Sequence, residues 1–201
     1  MFEIGAIESI DGLDSLLRET AATHSHACPR QVLGVRVGML AGRLFGLDAP
    51  QKDKRLVAFV ETDGCFADGV AVASGCMLGR RTMRLVDYGK VAVTFVDTLS
   101  ERAVRVWPNP TARDRAWKYA PNEQDGWHAQ LEGYKQMPTC ELLLFEPVRL
   151  LVPIKEIVSK PGLRAVCAQC GEEIMNEREV VREGRVLCKR CAGLDNYYEI
   201  G

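Results

Sequence analysis

This 201-residue chain has only three histidines, almost no net charge and no long apolar run. Each scarcity excludes something. No stretch approaches the roughly 18 uninterrupted apolar residues that cross a bilayer as a helix, so no contact with a membrane interior is expected. A formal net charge of −1 gives no general attraction to nucleic acid or to anionic lipid. No basic residue precedes Arg18, whereas Glu3, Glu8, Asp11 and Asp14 do, the reverse of a secretory leader. The expected location is therefore cytoplasmic. There thiols stay reduced, and eight cysteines serve as metal ligands or reactive groups rather than disulfides. There is no internal repeat and no low-complexity run, and a hydrophobic content of 47% is that of a folded protein.

Against these absences stand two cysteine pairs, Cys167-Ala-Gln-Cys170 and Cys188-Lys-Arg-Cys191, with seventeen residues between their inner members. That spacing belongs to a structural zinc site. Zinc imposes no directional demand, so four thiolates close around it tetrahedrally and staple a segment too small for a core of its own. From Leu163 onward six Lys/Arg face seven Asp/Glu, and four thiolates around one divalent ion add negative charge. Nucleic-acid binding by such a finger is not expected. Leu194, Tyr197, Tyr198 and Ile200 beyond the last ligand offer anchors for a protein partner, or pack back onto the finger.

Before the finger, hydrophobic spacing predicts a first helix from Ser9 or Asp11 to Thr23, with Ile10, Leu13, Leu16 and Leu17 as its apolar stripe. Pro29 opens a second helix, with Cys28 at its N-cap. Gly34, Gly38, Gly42 and Gly46 recur every four residues along it. Each glycine costs about 1 kcal/mol against alanine. A repeated cost of that kind implies close approach by another helix or a subunit; the alternative is a helix broken near Gly42–Gly46. Leu56–Glu61 reads as a buried strand, and Asp68 as the cap of a short helix reaching Ala73. Val91–Val96 and Ala103–Trp107 read as strands, Thr111–Tyr119 and Glu123–Met137 as helices. Glu141–Phe145 and Leu150–Pro153 read as extended, with Cys140 packed inside. Helices and strands mix without regular βαβ alternation, so the fold class is α+β. Ser159-Lys160-Pro161-Gly162 is the clearest linker. It divides a mixed helix/sheet core, 1–158, from a small four-cysteine zinc finger, 159–201.

Three stretches of the core could carry chemistry. In His24-Ser25-His26-Ala27-Cys28 the alternate residues His24, His26 and Cys28 share one face of an extended segment. Their nitrogen and sulfur donors suit zinc, and Cys28 at a helix N-terminus is also a candidate nucleophile; equally, these residues can simply end and cap two helices. Asp63-Gly64-Cys65-Phe66-Ala67-Asp68-Gly69 follows a strand end. Cys65 is there a second candidate nucleophile or ligand, while Asp63 and Asp68 could orient a ligand or move a proton. Cys76, between Gly75 and Gly79, is a further pocket candidate. The alternative makes both cysteines small buried hydrophobes and both aspartates turn residues. Lys90, after Gly89, could reach an anionic ligand or stay solvated.

Taken in order, these motifs resemble the family of proteins like the E subunit of formylmethanofuran dehydrogenase. The residues responsible are His24-Ser25-His26-Ala27-Cys28-Pro29 with Leu33-Gly34, and Glu61-Thr62-Asp63-Gly64-Cys65 with Asp68-Gly69. Gly75-Cys76, Gly79, Asp87-Tyr88-Gly89-Lys90 and the terminal cysteine pairs continue it. The resemblance implies an α+β core that forms a homodimer, plus a zinc finger of treble-clef or ribbon type. It also implies a core pocket near the subunit interface, with His24, His26, Cys28, Cys65 and Cys76 as candidates and a second metal, expected to be zinc. Arg30, Met77 and Arg80 depart from the glycine, threonine and lysine usual at their places. The family name points to carbon dioxide reduction by a molybdenum or tungsten enzyme. Four cysteines remain after the finger, scattered rather than in an iron–sulfur run, so an accessory component of a larger redox complex is expected rather than its catalyst. A small metal-dependent activity in the core stays open.

Overall fold

The computed structural model describes residues 11–22, 26–158, 162–175, 177–194 and 197. The chain divides into two compact units, Met1–Glu156 and Ile157–Gly201. Among the described residues no helix is long and apolar enough to cross a membrane.

The first unit contains the helices α1 (Leu13–Ala21), α2 (Pro29–Phe45), α3 (Cys65–Ser74), α4 (Ala112–Tyr119) and α5 (Gly126–Gln136), with the short turns α6 (Thr139–Leu142) and α7 (Ile154–Ile157). Its strands are β1 (Leu56–Val60), β2 (Met83–Leu85), β3 (Val93–Asp97), β4 (Ala103–Pro108) and β5 (Leu143–Val148). They form one sheet in the order β2-β1-β3-β4-β5. Only β1 and β2 run parallel, joined through α3; the other neighbours are antiparallel. The α+β class read from the sequence is the class observed. Alternate strand residues, among them Ala58, Val60, Phe95, Val104 and Val106, meet Leu40, Leu44, Phe66, Val70 and Met137 from the helical side. One sheet face is thereby buried under α2, α3 and α5.

The glycines of α2 explain how α3 is seated. A Cβ on Gly34 would lie 2.2 Å from the Phe66 carbonyl oxygen and 2.9 Å from the Val70 nitrogen. One on Gly69 would lie 2.5 Å from the Gln31 oxygen, and one on Gly38 would lie 2.6 Å from the Ala73 Cβ. Contacts advance along both chains together, so α2 and α3 run parallel with their N-termini at the same end. Gly42 instead meets Leu47 and Ala49, and Gly46, at φ 64°, ends the helix. The helix is unbroken to Phe45, and Gly34 and Gly38 of its bare stripe face a helix of the same chain.

Arg36 fixes α2 against α5. Its guanidinium is buried and donates to the Tyr134 and Met137 carbonyls at 2.7 and 2.9 Å and to Thr139 Oγ1 at 3.0 Å. Burial, then the charge of Arg43, pulls it down to about 10, so it stays charged at neutral pH beside the negative end of α5. Arg80 has a comparable structural task. It donates to the carbonyls of Gln51 (3.0 Å), Gly75 (3.3 Å), Lys52 and Asp53, pinning the loop after α2 to the end of α3.

Several boundaries differ from the sequence expectation. The helix placed behind an Asp68 cap starts at Cys65 behind Gly64, four residues earlier, and Asp68 lies in its first turn. Gly64, at φ 73° and ψ −156°, makes this possible, a conformation essentially reserved for glycine. The strand expected at Glu141–Phe145 lies at Leu143–Val148 behind a helical turn, and 150–153 contains no strand. Cys140, placed inside by its apolar neighbours, is exposed on that turn. Ile10 of the expected first stripe, the linker residues 159–161, and Tyr198 and Ile200 lie outside the described residues.

The second unit consists of two hairpins, β6 (Arg164–Val166) with β7 (Glu173–Met175), and β8 (Val180–Arg182) with β9 (Arg185–Leu187). Each cysteine pair sits beside one hairpin. Cys167 follows β6 directly and Cys188 follows β9. Among its described residues the unit's buried cluster is Cys167, Ile174, Leu187 and Ala192.

Candidate functional site

The four finger sulfurs come together within the second unit. The ligand atoms of Cys167, Cys170, Cys188 and Cys191 all lie within 4.8 Å of one another. Each short loop turns back on itself through a main-chain bond, Gly171 N to Cys167 O at 2.9 Å and Ala192 N to Cys188 O at 2.9 Å. Backbone N–H groups point at the sulfurs, as from Cys188 to Cys167 Sγ and from Cys191 to Cys188 Sγ, both at 3.3 Å. Donors of this kind, first that of Cys170, pull the Cys167 thiol down to about 6. Burial and the other three thiols push Cys191 up to about 12. Four sulfurs so close favour all-thiolate character only around a cation, which is the charge logic of a closed zinc site.

The core assembles a different group. Cys28 is the N-cap of α2 and Cys65 the first residue of α3, so the parallel packing at Gly34 and Gly69 brings both to one end. The Cys28 thiol is near enough to Cys65 to act on its titration. Burial first, and then this neighbouring thiol, pushes the Cys65 thiol up. Two N-terminal macrodipoles point at the pair and favour negative charge there. Cys28 is buried and Cys65 half-buried.

Gln31, one turn into α2, completes the local geometry. Its Oε1 accepts from the Cys28 N–H at 2.8 Å, closing a capping box of the kind usually built on serine or threonine. The same amide leaves Nε2 buried without a hydrogen-bond partner. An unpaired donor in the interior costs about 1–3 kcal/mol. Sequence reasoning passed over Gln31, although a glutamine three residues after a capping position is a readable signal.

The other candidates separate. His26 is exposed, two residues before Cys28, and His24 lies outside the described residues. Asp68 is half-buried in the first turn of α3 and adds to the upward push on Cys65; Asp63 is exposed on the turn before it. Lys90 is exposed, with Nζ 6.0 Å from the Tyr88 ring centroid. Its loop is tied to the same end of the sheet, because the Glu61 carbonyl accepts from Tyr88 N at 2.9 Å and Lys90 N at 3.1 Å. Glu61 itself is held by Arg105, at 2.7 and 2.8 Å. Cys76 does not join the group. It is fully buried beyond the far end of α3, its thiol donates to Leu56 O at 3.3 Å, and burial pushes it up to about 11. Among the described residues, only the finger cysteines bring three or more metal-binding side chains together. A groove of about 600 Å³ between Glu101–Ala103 and Pro147–Ile154 opens at the opposite end of the sheet and contains none of these residues.

Comparison with known proteins follows the same division. Residues 23–143 match the family model described as FmdE, molybdenum formylmethanofuran dehydrogenase operon. Residues 162–197 match the model of the prokaryotic dksA/traR C4-type zinc finger. With its four gathered sulfurs, the C-terminal unit is a C4 zinc finger. A relative from Archaeoglobus fulgidus, described as a probable S-adenosyl-L-methionine-binding protein, is 30% identical over 94% of this chain and 55% of its own. The chain thus spans about half the length of that relative. The crystal structure of an FmdE-like protein of the tungsten formylmethanofuran dehydrogenase type, from Syntrophus aciditrophicus, matches with a TM-score of 0.56 and 20% identity. The match covers 92% of this chain and 95% of that one, and at this identity it is a likeness of fold.

Proposed function

Because the chain belongs to the FmdE family, we propose that it is a zinc-stabilised accessory protein of a molybdenum- or tungsten-dependent one-carbon redox system. In this reading its core carries a metal site at Cys28 and Cys65. The observation that carries it is the meeting of those two thiols at paired helix N-termini, in a core where the sequence places His24 and His26 immediately upstream. Two sulfurs and imidazole nitrogen form a donor set that suits zinc, which would act there as a Lewis acid. The chain's own contribution is to hold the two thiols at one end of the core and to orient whatever binds beside them. The protein acts as a homodimer in the cytoplasm and associates with the larger enzyme rather than performing the redox step. Affinity purification of the tagged chain from its native host tests this role. Molybdenum or tungsten should co-elute in stoichiometric proportion to the chain; an eluate free of both metals overturns the accessory role.

A second reading rests on the 30% identity to the A. fulgidus protein, whose description names S-adenosyl-L-methionine. In it the core site binds that sulfonium compound, and equilibrium dialysis against the labelled compound separates the two readings.

A further inference from the structure

We propose that Gln31 is a ligand-positioning residue and that the site it serves takes the carboxylate of a small molecule. The inference rests on the proposed location of the core site, though not on a metal being bound there.

The orientation of the Gln31 amide is settled by its own bond. Oε1 faces the Cys28 N–H at 2.8 Å, so the group left over at that end of α2 is the Nε2 donor. Nε2 is buried with no acceptor, in a side chain that is 1% exposed. Among the described side chains of the core no other buried polar atom stands unpaired. A donor kept out of water and given no acceptor is what a site looks like when its acceptor belongs to a ligand.

The surroundings define the chemistry of that acceptor. α2 has 17 residues and α3 has 10, both long enough for a substantial N-terminal field, and because they run parallel the two fields add. On α2 Pro29 has no N–H, and those of Cys28, Gln31 and Val32 are bonded. The start of α3 therefore supplies the main-chain donors, which with a neutral amide donor favour an anionic oxygen. A carboxylate supplies two such oxygens in one plane, one for Nε2 and one for main-chain N–H. Of the acidic groups nearby, Asp68 bears on Cys65 and is itself engaged, and Asp63 is exposed on the turn before α3. Their charge keeps the affinity modest and does not fill the place beside Gln31.

The test uses the intact, zinc-replete, ¹⁵N-labelled chain, titrated with sodium acetate against sodium chloride at equal ionic strength. Acetate should move the Gln31 side-chain amide pair saturably, and chloride should not. Gln31→Glu keeps an oxygen for the Cys28 N–H but replaces the donor with a charged acceptor, so acetate affinity should fall at least tenfold in a core whose other resonances are unchanged. An amide pair that acetate leaves in place, or equal binding by Gln31→Glu, overturns the proposal. The wild-type titration decides the matter even if the variant does not fold. Metal content is read separately: a metal-free core that binds acetate removes the metal site and keeps this inference, while a metal-bearing core with Gln31 unmoved does the reverse.

Discussion

Gly34→Ala is expected to destabilise the core by about 2–3 kcal/mol, although alanine is the better helix former by about 1 kcal/mol. The added methyl would stand 2.2 Å from the Phe66 carbonyl oxygen and 2.9 Å from the Val70 nitrogen. Both are main-chain atoms of α3 and cannot rotate aside, so the helices must separate along their length. Gly38→Leu, aimed at the Ala73 Cβ 2.6 Å away, should be worse and prevent folding. Gly126→Ala is the control. At the start of α5 its Cβ meets nothing closer than a flexible glutamine tip at 3.9 Å, and the change should stay within about 0.5 kcal/mol. Urea midpoints of the three variants check the account. A Gly34→Ala chain as stable as its parent would mean that α2 and α3 do not touch backbone to backbone.

Removal of zinc should unfold the finger completely while the core keeps its structure. Among its described residues the finger's buried cluster is Cys167, Ile174, Leu187 and Ala192, too little apolar surface to offset the entropy of ordering two hairpins. Structural zinc contributes about 10–16 kcal/mol in small fingers of this kind. Without the cation four thiolates would repel one another, and burial followed by the neighbouring cysteines pushes Cys191 up to about 12, toward the protonated form. Chelation, or Cys188→Ser, should therefore abolish amide protection across the two hairpins and leave the core amides protected. A finger that stays protected in excess chelator would contradict a structural role for zinc.

Much of the fold could be read from local signals. Pro29 after Cys28 marked the start of α2, and half of the glycine repeat, Gly34 and Gly38, answers to a close helix contact, whereas Gly42 meets the following loop and Gly46 ends the helix. The cysteine spacing located the finger, since two short turns bring all four sulfurs together without distant pairing. What stayed hidden depended on tertiary packing. The start of α3 at Cys65 follows from the backbone of Gly64, which a sequence does not display. β2 is three residues long with Arg84 at its centre, too short for any alternation to show. Cys65 and Cys76 looked alike between glycines, yet the length of α3 separates a half-buried thiol near Cys28 from a core thiol bonded to Leu56. Arg80, a departure from the family pattern, is explained by the four carbonyls it gathers rather than by any ligand.

The central claim is that the core holds a metal at Cys28 and Cys65, separate from the finger. Metal per chain, measured by mass spectrometry on the intact protein and on Cys28→Ser and Cys65→Ser, tests it most directly. The account predicts two ions in the intact chain and one in each variant, with the finger still folded. A single ion in all three would confine metal to the finger and contradict the claim.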